Sequence, residues 1–223
     1  MAEMKIIARI RTPFKTKFGI PRQSGRVKSL EGRIIFEPEY RNEDFIRGIE
    51  EFSHLWLIWG FSENEGKEIH PTVRPPRLGG NTRKGVFASR SPFRPNGLGL
   101  SCVELKGTEK TQNGIELTVC GADLMDGTPI YDIKPYIPYS DSIDGARGGF
   151  AQENKDYRLK VEADEELLKK LPCEKRETLI EVLADDPRPA YQNDEGRIYG
   201  FEFMNFEIKF KVKKNTLTLI SIE

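Results

Sequence analysis

Histidine and cysteine are scarce in this chain. His54 and His70 are the only histidines, and Cys102, Cys120 and Cys173 the only cysteines. A zinc or iron centre draws on clustered imidazoles and thiolates, and a Ser-His-Asp triad needs a dedicated histidine, so this supply argues against both. Three cysteines without Cys-x-x-Cys spacing read as reduced thiols rather than a disulfide framework. No apolar run approaches the ~20 residues of a membrane helix. Met1-Ala2-Glu3-Met4-Lys5 lacks the apolar stretch of a signal peptide, so the expected location is cytoplasmic. Two nucleotide signatures are also missing. No Gly-x-Gly-x-x-Gly joins a strand to a helix, and no Gly-x-x-x-x-Gly-Lys-Ser/Thr occurs. The cluster Gly145-Ala146-Arg147-Gly148-Gly149 has neither context and reads as a linker.

One further absence is local. From Ile69 to Leu100 the chain carries six arginines and lysines and no carboxylate, although the whole molecule, with 35 basic and 35 acidic residues, sums to zero. This stretch is dense in Arg, Pro and Gly, a poor composition for helix or strand. Its prolines stiffen the backbone, its glycines permit close approach, and its arginines present planar forks of donors. Phe87, Phe93 and Leu98 are interleaved with them, unlike a plain solvated connector. The pattern points to a shaped loop for an anion or nucleotide. Charge is uneven elsewhere too. Residues 1–33 hold nine Lys or Arg against two Glu, and residues 155–186 hold seven against ten Asp or Glu. The basic face is therefore expected on the N-terminal part.

At 223 residues, 37% hydrophobic and 31% charged, the chain is globular and long enough for one large core or a main domain with a companion. Strands are expected at 4–11, 33–36, 54–61, 85–88, 98–105, 115–121 and 130–137, with a hairpin turn at Gln112-Asn113-Gly114. Asn42 caps an expected helix reaching Phe52, with Phe45, Ile49 and Phe52 on one face. The run from His54 to Phe61 is almost continuously apolar, so its two tryptophans read as core. Residues 140–152 form the best linker. Asp164–Leu183 has helical spacing interrupted by Pro172. Three strands follow at 198–204, 206–212 and 216–222. The expected fold is mainly β with some helix (α+β): an antiparallel β-barrel with a smaller C-terminal module. The expected domains are 1–145 and 155–223.

The specific signal is a series of motifs. Pro21-Arg22-Gln23 comes first, then Arg74-Pro75-Pro76-Arg77-Leu78-Gly79-Gly80-Asn81 and Gly85-Val86-Phe87-Ala88. Arg90-Ser91-Pro92-Phe93-Arg94-Pro95-Asn96 follows, then Asp123-Leu124-Met125-Asp126-Gly127-Thr128-Pro129 and Asp132-Ile133-Lys134-Pro135-Tyr136. In this order they resemble the TrmO family, also called YaeB or TsaA-like. Asp186-Pro187-Arg188-Pro189-Ala190-Tyr191 resembles that family's C-terminal module. Gly97 stands where the family usually has Pro, and Ser62 lies where one branch often has His.

The resemblance implies a single-sheet barrel, a homodimer, and an S-adenosylmethionine-dependent tRNA methyltransferase. Its substrate would be the exocyclic amine of threonylcarbamoyl-adenosine beside the anticodon of threonine tRNA. The cofactor residues it implies are Pro21, Arg22, Gln23, Ser62, Glu63, Arg90, Leu100, Asp126, Gly127, Thr128 and Pro129. Among them, Leu100 offers an apolar wall and Arg90 a partner for the cofactor's carboxylate. Arg74, Arg77, Arg83, Lys84 and Arg94 are the expected RNA contacts, with Phe93 and Tyr136 available for base stacking. No metal is expected. Asp123 and Asp126 fit backbone capping of a tight turn as well as a ligand role. Tyr131 and Asp132 are candidates for a base by position only. Two alternatives stay open: a small-molecule methyltransferase of the same fold, and a non-catalytic RNA-binding module.

Overall fold

The computed structural model describes residues 4–64, 66, 68–75, 82–112, 114–188 and 194–223. Six antiparallel strands form one sheet. They are β1 (Ala8–Arg11), β2 (Glu31–Phe36), β3 (His54–Gly60), β6 (Leu98–Thr111), β7 (Gly114–Cys120) and β8 (Pro129–Pro135). They pair in the order β1-β2-β7-β6-β3-β8, and β8 pairs back onto β1 through Ala8↔Ile130, which closes the barrel. Closure leaves no free sheet edge. A core of Ile10, Ile34, Leu55, Leu57, Val103, Leu117 and Ile130 fills the interior.

Two short strands, β4 (Thr72–Val73) and β5 (Lys84–Gly85), form a separate ribbon within the basic segment. Helix α1 (Pro138–Asp141) and a 3-10 turn at Gly149–Asn154 occupy part of the expected linker. The C-terminal part holds β9 (Lys160–Glu162), α2 (Glu165–Leu168), α3 (Cys173–Ala184), β10 (Tyr199–Phe203), β11 (Phe206–Lys213) and β12 (Thr216–Ile222). Its sheet runs β10-β11-β12-β9, with β9 parallel to β12. Leu179, Val182 and Leu183 of α3 pack on Phe201, Phe203, Ile208, Phe210 and Leu217. Pro172 separates α2 from α3, as its missing N–H requires. Among the described residues no helix is long and apolar enough to cross a membrane.

Several local expectations change. β1 starts at Ala8 instead of residue 4, and β6 runs on to Thr111 instead of ending at 105. The helix over 42–52 is two 3-10 turns, Glu43–Ile46 and Ile49–Glu51, because Gly48 between them takes φ +83°. Asn42 does cap the first, accepting from Asp44 N–H at 3.0 Å. Phe45, expected on an apolar face, is 63% exposed, and Ile46 is buried instead. Residues 85–88 give only the end of β5 before a 3-10 turn at Val86–Ala88. The hairpin pairs Thr111 with Gly114, and Asn113 of its turn lies outside the described residues.

The connection from β1 to β2 belongs to both halves. Phe14, Val27 and Leu30 lie in the C-terminal core, and Phe14 meets Phe203 edge-on at 5.8 Å. Gly19, at φ +96°, lets the chain pass so close to Phe201 that a β-carbon there would fall 2.4 Å from its ring. Apolar contacts thus fix both ends of a 12–30 segment whose middle faces the barrel.

Candidate active site

Strand polarity brings one set of loops together. The end of β3, the start of β6, the β7–β8 connection and the β1–β2 connection all emerge at the same end of the barrel. There they surround a cleft of about 610 Å³, within the range of small-ligand sites. Trp59, Phe61, Leu98, Leu100 and Met125 give it apolar walls. Gln23, Ser62, Arg90, Asp123 and Thr128 add polar groups, and Arg94 also lines it.

Backbone economy shapes the floor. Trp59 and Gly99 are cross-strand partners, and the missing side chain at 99 gives the indole its place. Trp59 Nε1 donates to Ser101 Oγ at 2.9 Å, and that hydroxyl donates to Asp123 Oδ1 at 2.5 Å. Burial pushes the Asp123 carboxyl above the usual carboxylate range, while the Ser101 bond and the nearby Arg90 charge oppose that rise. One rim is closed by Lys17, whose Nζ donates to Asn64 Oδ1 at 2.9 Å.

Arg90 Nη1 donates to Gln23 Oε1 at 2.5 Å, and Gln23 Nε2 donates to the Arg22 carbonyl at 2.6 Å. The 86–94 loop is braced by Arg94. Its Nε donates to Ser91 O at 3.0 Å, and its Nη2 to Ser89 O at 2.6 Å and Val86 O at 3.2 Å. The stiff turn suggested by its prolines is therefore held by an arginine inside it.

Eight of the eleven sequence-based cofactor residues line the cleft: Pro21, Arg22, Gln23, Ser62, Glu63, Arg90, Leu100 and Thr128. Asp126, Gly127 and Pro129 stand outside the lining. Asp126 Oδ1 accepts from Thr12 N–H at 3.1 Å and Oδ2 from Arg11 Nη1 at 3.3 Å. Gly127 N–H donates to Ile10 O at 2.8 Å, and Pro129 is paired with Arg9. These three pin the β7–β8 connection to β1. Of the pair left open by sequence, Asp126 takes the structural place and Asp123 the cleft. The base candidates lie outside the lining too: Asp132 pairs with Lys134 at 3.1 Å, and Tyr131 packs on Gly60. The reading of Trp59 as core holds, since it is 7% exposed in the barrel core, but sequence reading missed that one side of it also faces the cleft, along with Met125 of the lining and Ser101 behind it. The glycine opposite Trp59 was the available signal for the first.

Among the RNA candidates, Arg74 and Arg83 are exposed and flank the β4–β5 ribbon, and Lys84 is half-buried within it. The register Val73↔Lys84 places Arg74 and Arg83 next to each other at its open end. Neither has an ion-pair partner among the described residues. Arg77, and Pro189, Ala190 and Tyr191 of the C-terminal motif, lie outside those residues. Tyr136 packs beside Trp56 and His54, with ring centroids 5.8 and 6.2 Å apart. Phe93 is 41% exposed at the cleft.

These features define a β-barrel protein with a built small-ligand cleft beside a cationic ribbon. Residues 9–142 match the tRNA-methyltransferase O N-terminal domain, and residues 156–223 match the TrmO C-terminal domain. The chain belongs to the tRNA-methyltransferase O family. It is 42% identical to the tRNA (adenine(37)-N6)-methyltransferase of Escherichia coli K12, over 96% of this chain and 94% of that one. It is 39% identical to a putative S-adenosylmethionine-dependent methyltransferase of Pseudomonas aeruginosa, covering 91% and 89%. A crystal structure of TrmO from Pseudomonas aeruginosa superposes with a TM-score of 0.78 at 30% identity, covering 100% of this chain and 99% of that one.

Proposed function

We propose that this protein transfers a methyl group from S-adenosylmethionine to the exocyclic amine of adenosine 37 in tRNA, with the threonylcarbamoylated base of threonine tRNA as its substrate. The observation that carries this is the cleft at the barrel end, with Arg90 and Gln23 on one side and Trp59, Leu100 and Met125 as apolar walls. Its donor set fits the cofactor. Arg90 suits a carboxylate, the Pro21–Gln23 main chain and the Gln23 amide suit ribose and adenine polar groups, and the apolar walls suit the rest. Once bound, S-adenosylmethionine supplies a methyl carbon already activated by its sulfonium.

The protein's work is then to position. Trp59 and Asp123 form a wall fixed from behind by Ser101, and the braced 86–94 loop carries Arg90 and Phe93 at the rim. Holding an amine in line with an activated carbon supplies most of a barrier reduction of this kind. The transfer breaks the sulfur–methyl bond, releases S-adenosylhomocysteine and sheds one N–H proton to solvent after the nitrogen–carbon bond forms, so a base is less essential than in hydrolysis. Arg74, Arg83 and Lys84 supply phosphate contacts beside the cleft, while an unpaired anticodon-loop base reaches it at little unstacking cost. The cytoplasm, where tRNA is modified, is the proposed location.

A homodimer is part of the same proposal. Phe87, 82% exposed, and Phe93 stand on one loop, and Phe93 lines the cleft with the exposed Leu100, apolar surface suited to a second copy. Light scattering at working concentration tests it, and a monomer contradicts it. The main test is nucleoside mass spectrometry of tRNA incubated with the protein and S-adenosylmethionine, beside calorimetry of cofactor binding with a chelator present. Methylated adenosine 37 is expected. Unmodified tRNA despite cofactor binding overturns the RNA substrate, and absence of cofactor binding overturns the enzyme.

A further inference from the structure

Arg22 lines the cleft, but its guanidinium is bonded to the other module. Its Nη2 donates to the carbonyls of Asp186, at 3.2 Å, and Arg188, at 2.7 Å. Those carbonyls belong to a buried corner just after α3. Asp185, Asp186 and Arg188 are 3%, 8% and 8% exposed. Asp186 sits in the left-handed region at φ +56°, a conformation a non-glycine residue keeps only where its surroundings over-determine it. Here they do. Arg188 Nε and Nη2 donate to the two Asp186 oxygens at 2.8 and 3.0 Å, and Tyr157 OH donates to Oδ2 at 3.1 Å. Asp185 holds Arg26 of the same β1–β2 connection, and Arg158 at 2.9 Å.

From this corner a line of bonds reaches the cleft. The Asp186 and Arg188 carbonyls hold Arg22, the Arg22 carbonyl holds Gln23 Nε2, and Gln23 Oε1 holds Arg90. We infer that the Asp185–Arg188 corner of the C-terminal module is a positioning element of the cofactor cleft, acting through Arg22 on Pro21–Gln23 and Arg90. The 12–30 connection is long. Left to itself, its middle would have to order on ligand binding, and that entropy cost would weaken affinity. The buried corner orders it beforehand.

This inference rests on the cofactor reading of the cleft. The test is calorimetry of the full chain with S-adenosylhomocysteine, the unreactive product, for wild type, Asp186→Asn and Arg22→Lys. Anticodon stem-loop binding, thermal melts and steady-state kinetics run alongside. Asparagine tolerates the left-handed conformation and keeps the shape, but loses the charge that holds Arg188. Product affinity is expected to fall about tenfold in Asp186→Asn through lost preorganisation. The cofactor KM should rise while kcat at saturation and stem-loop affinity are retained, a split that general loosening of the fold would not give. A folded Asp186→Asn protein with wild-type product affinity overturns the inference. Should Asp186→Asn fail to fold, Arg22→Lys decides. Both carbonyls are held by the one nitrogen Nη2, and a lysine ammonium ends one bond short of that position, so weaker product binding is expected and unchanged binding overturns the inference. Wild-type protein that binds neither S-adenosylmethionine nor the product overturns the functional reading itself, and this inference with it.

Discussion

The indole of Trp59 lies so close to Gly99 that a β-carbon at 99 would fall 2.3 Å from Trp59 Cε2. Both residues line the cleft, and the same indole donates to Ser101 and packs on Phe61 at 4.4 Å. Gly99→Ala must therefore push the ring off its bond. Overpacking of this kind costs about 1–3 kcal/mol. A lower melting temperature, shifted tryptophan emission and weaker S-adenosylmethionine binding are expected together. A variant that melts and binds like wild type would show that the ring has room to move.

Asp123 predicts a pH dependence with a definite sign. Burial raises its carboxyl above the ordinary range, so the folded protein binds this proton more tightly than the unfolded chain does. Its contribution to stability is fully present below the unfolded value, about 3.9, and is lost as pH rises through the folded value. Asp123→Asn, which cannot ionise, should escape that loss and gain stability over wild type toward neutral pH. Below about pH 4 the gain should disappear. Melting curves of the two proteins from acid to neutral pH check this, and parallel curves would contradict it.

The barrel was largely legible because strand signals are local. The apolar run at 54–61 becomes β3, the strands expected at 115–121 and 130–137 become β7 and β8, and beyond the barrel the break at Pro172 survives too. One failure is local and one is not. Gly48 splits an apparent helix, whereas the three-residue β9 is set by its pairing with the distant β12. The site was legible in its loops, since Pro21–Gln23 and Arg90 carry recognisable motifs. It was not legible in its floor. Nothing in the chain near Ser101 announces that Trp59 and Asp123 meet there, because the pairing of β3 with β6 and the path of the β7–β8 connection bring those three positions together. The sharing of Phe14, Val27 and Leu30 with the C-terminal core was hidden for the same reason.

The cationic ribbon predicts salt-sensitive RNA binding. Arg74 and Arg83 flank paired strands and are exposed, with Lys84 between them and the loop. If each neutralises one phosphate, replacing all three with alanine should reduce the slope of log affinity against log salt by about 2, at ~0.7 per contact in a single-stranded loop. Stem-loop binding at several salt concentrations measures it. An unchanged slope would place the RNA surface elsewhere on the molecule.

Arg94 and Asp126 should fail in different ways, each according to the bonds it makes in the fold. As motif residues they read as a substrate contact and a cofactor ligand. In the fold, Arg94 lines the cleft but donates to three carbonyls of the loop that carries Arg90. Its removal takes the guanidinium donor from the Ser89 and Ser91 carbonyls, while Val86 O keeps the Ser89 N–H and hydroxyl, and frees that loop. Arg94→Ala should therefore lower the melting temperature and weaken cofactor binding together, the stability loss being about 1–3 kcal/mol. Asp126 lies outside the cleft lining and accepts from Thr12 N–H and Arg11. Asp126→Ala should cost about 1 kcal/mol of stability and leave cofactor affinity near wild type once the protein is folded. Melts and calorimetry on both variants separate the cases. An Asp126→Ala protein that melts normally yet loses S-adenosylmethionine affinity would return Asp126 to the list of direct ligands. An Arg94→Ala protein that keeps both its melting temperature and its affinity would leave the guanidinium free for RNA.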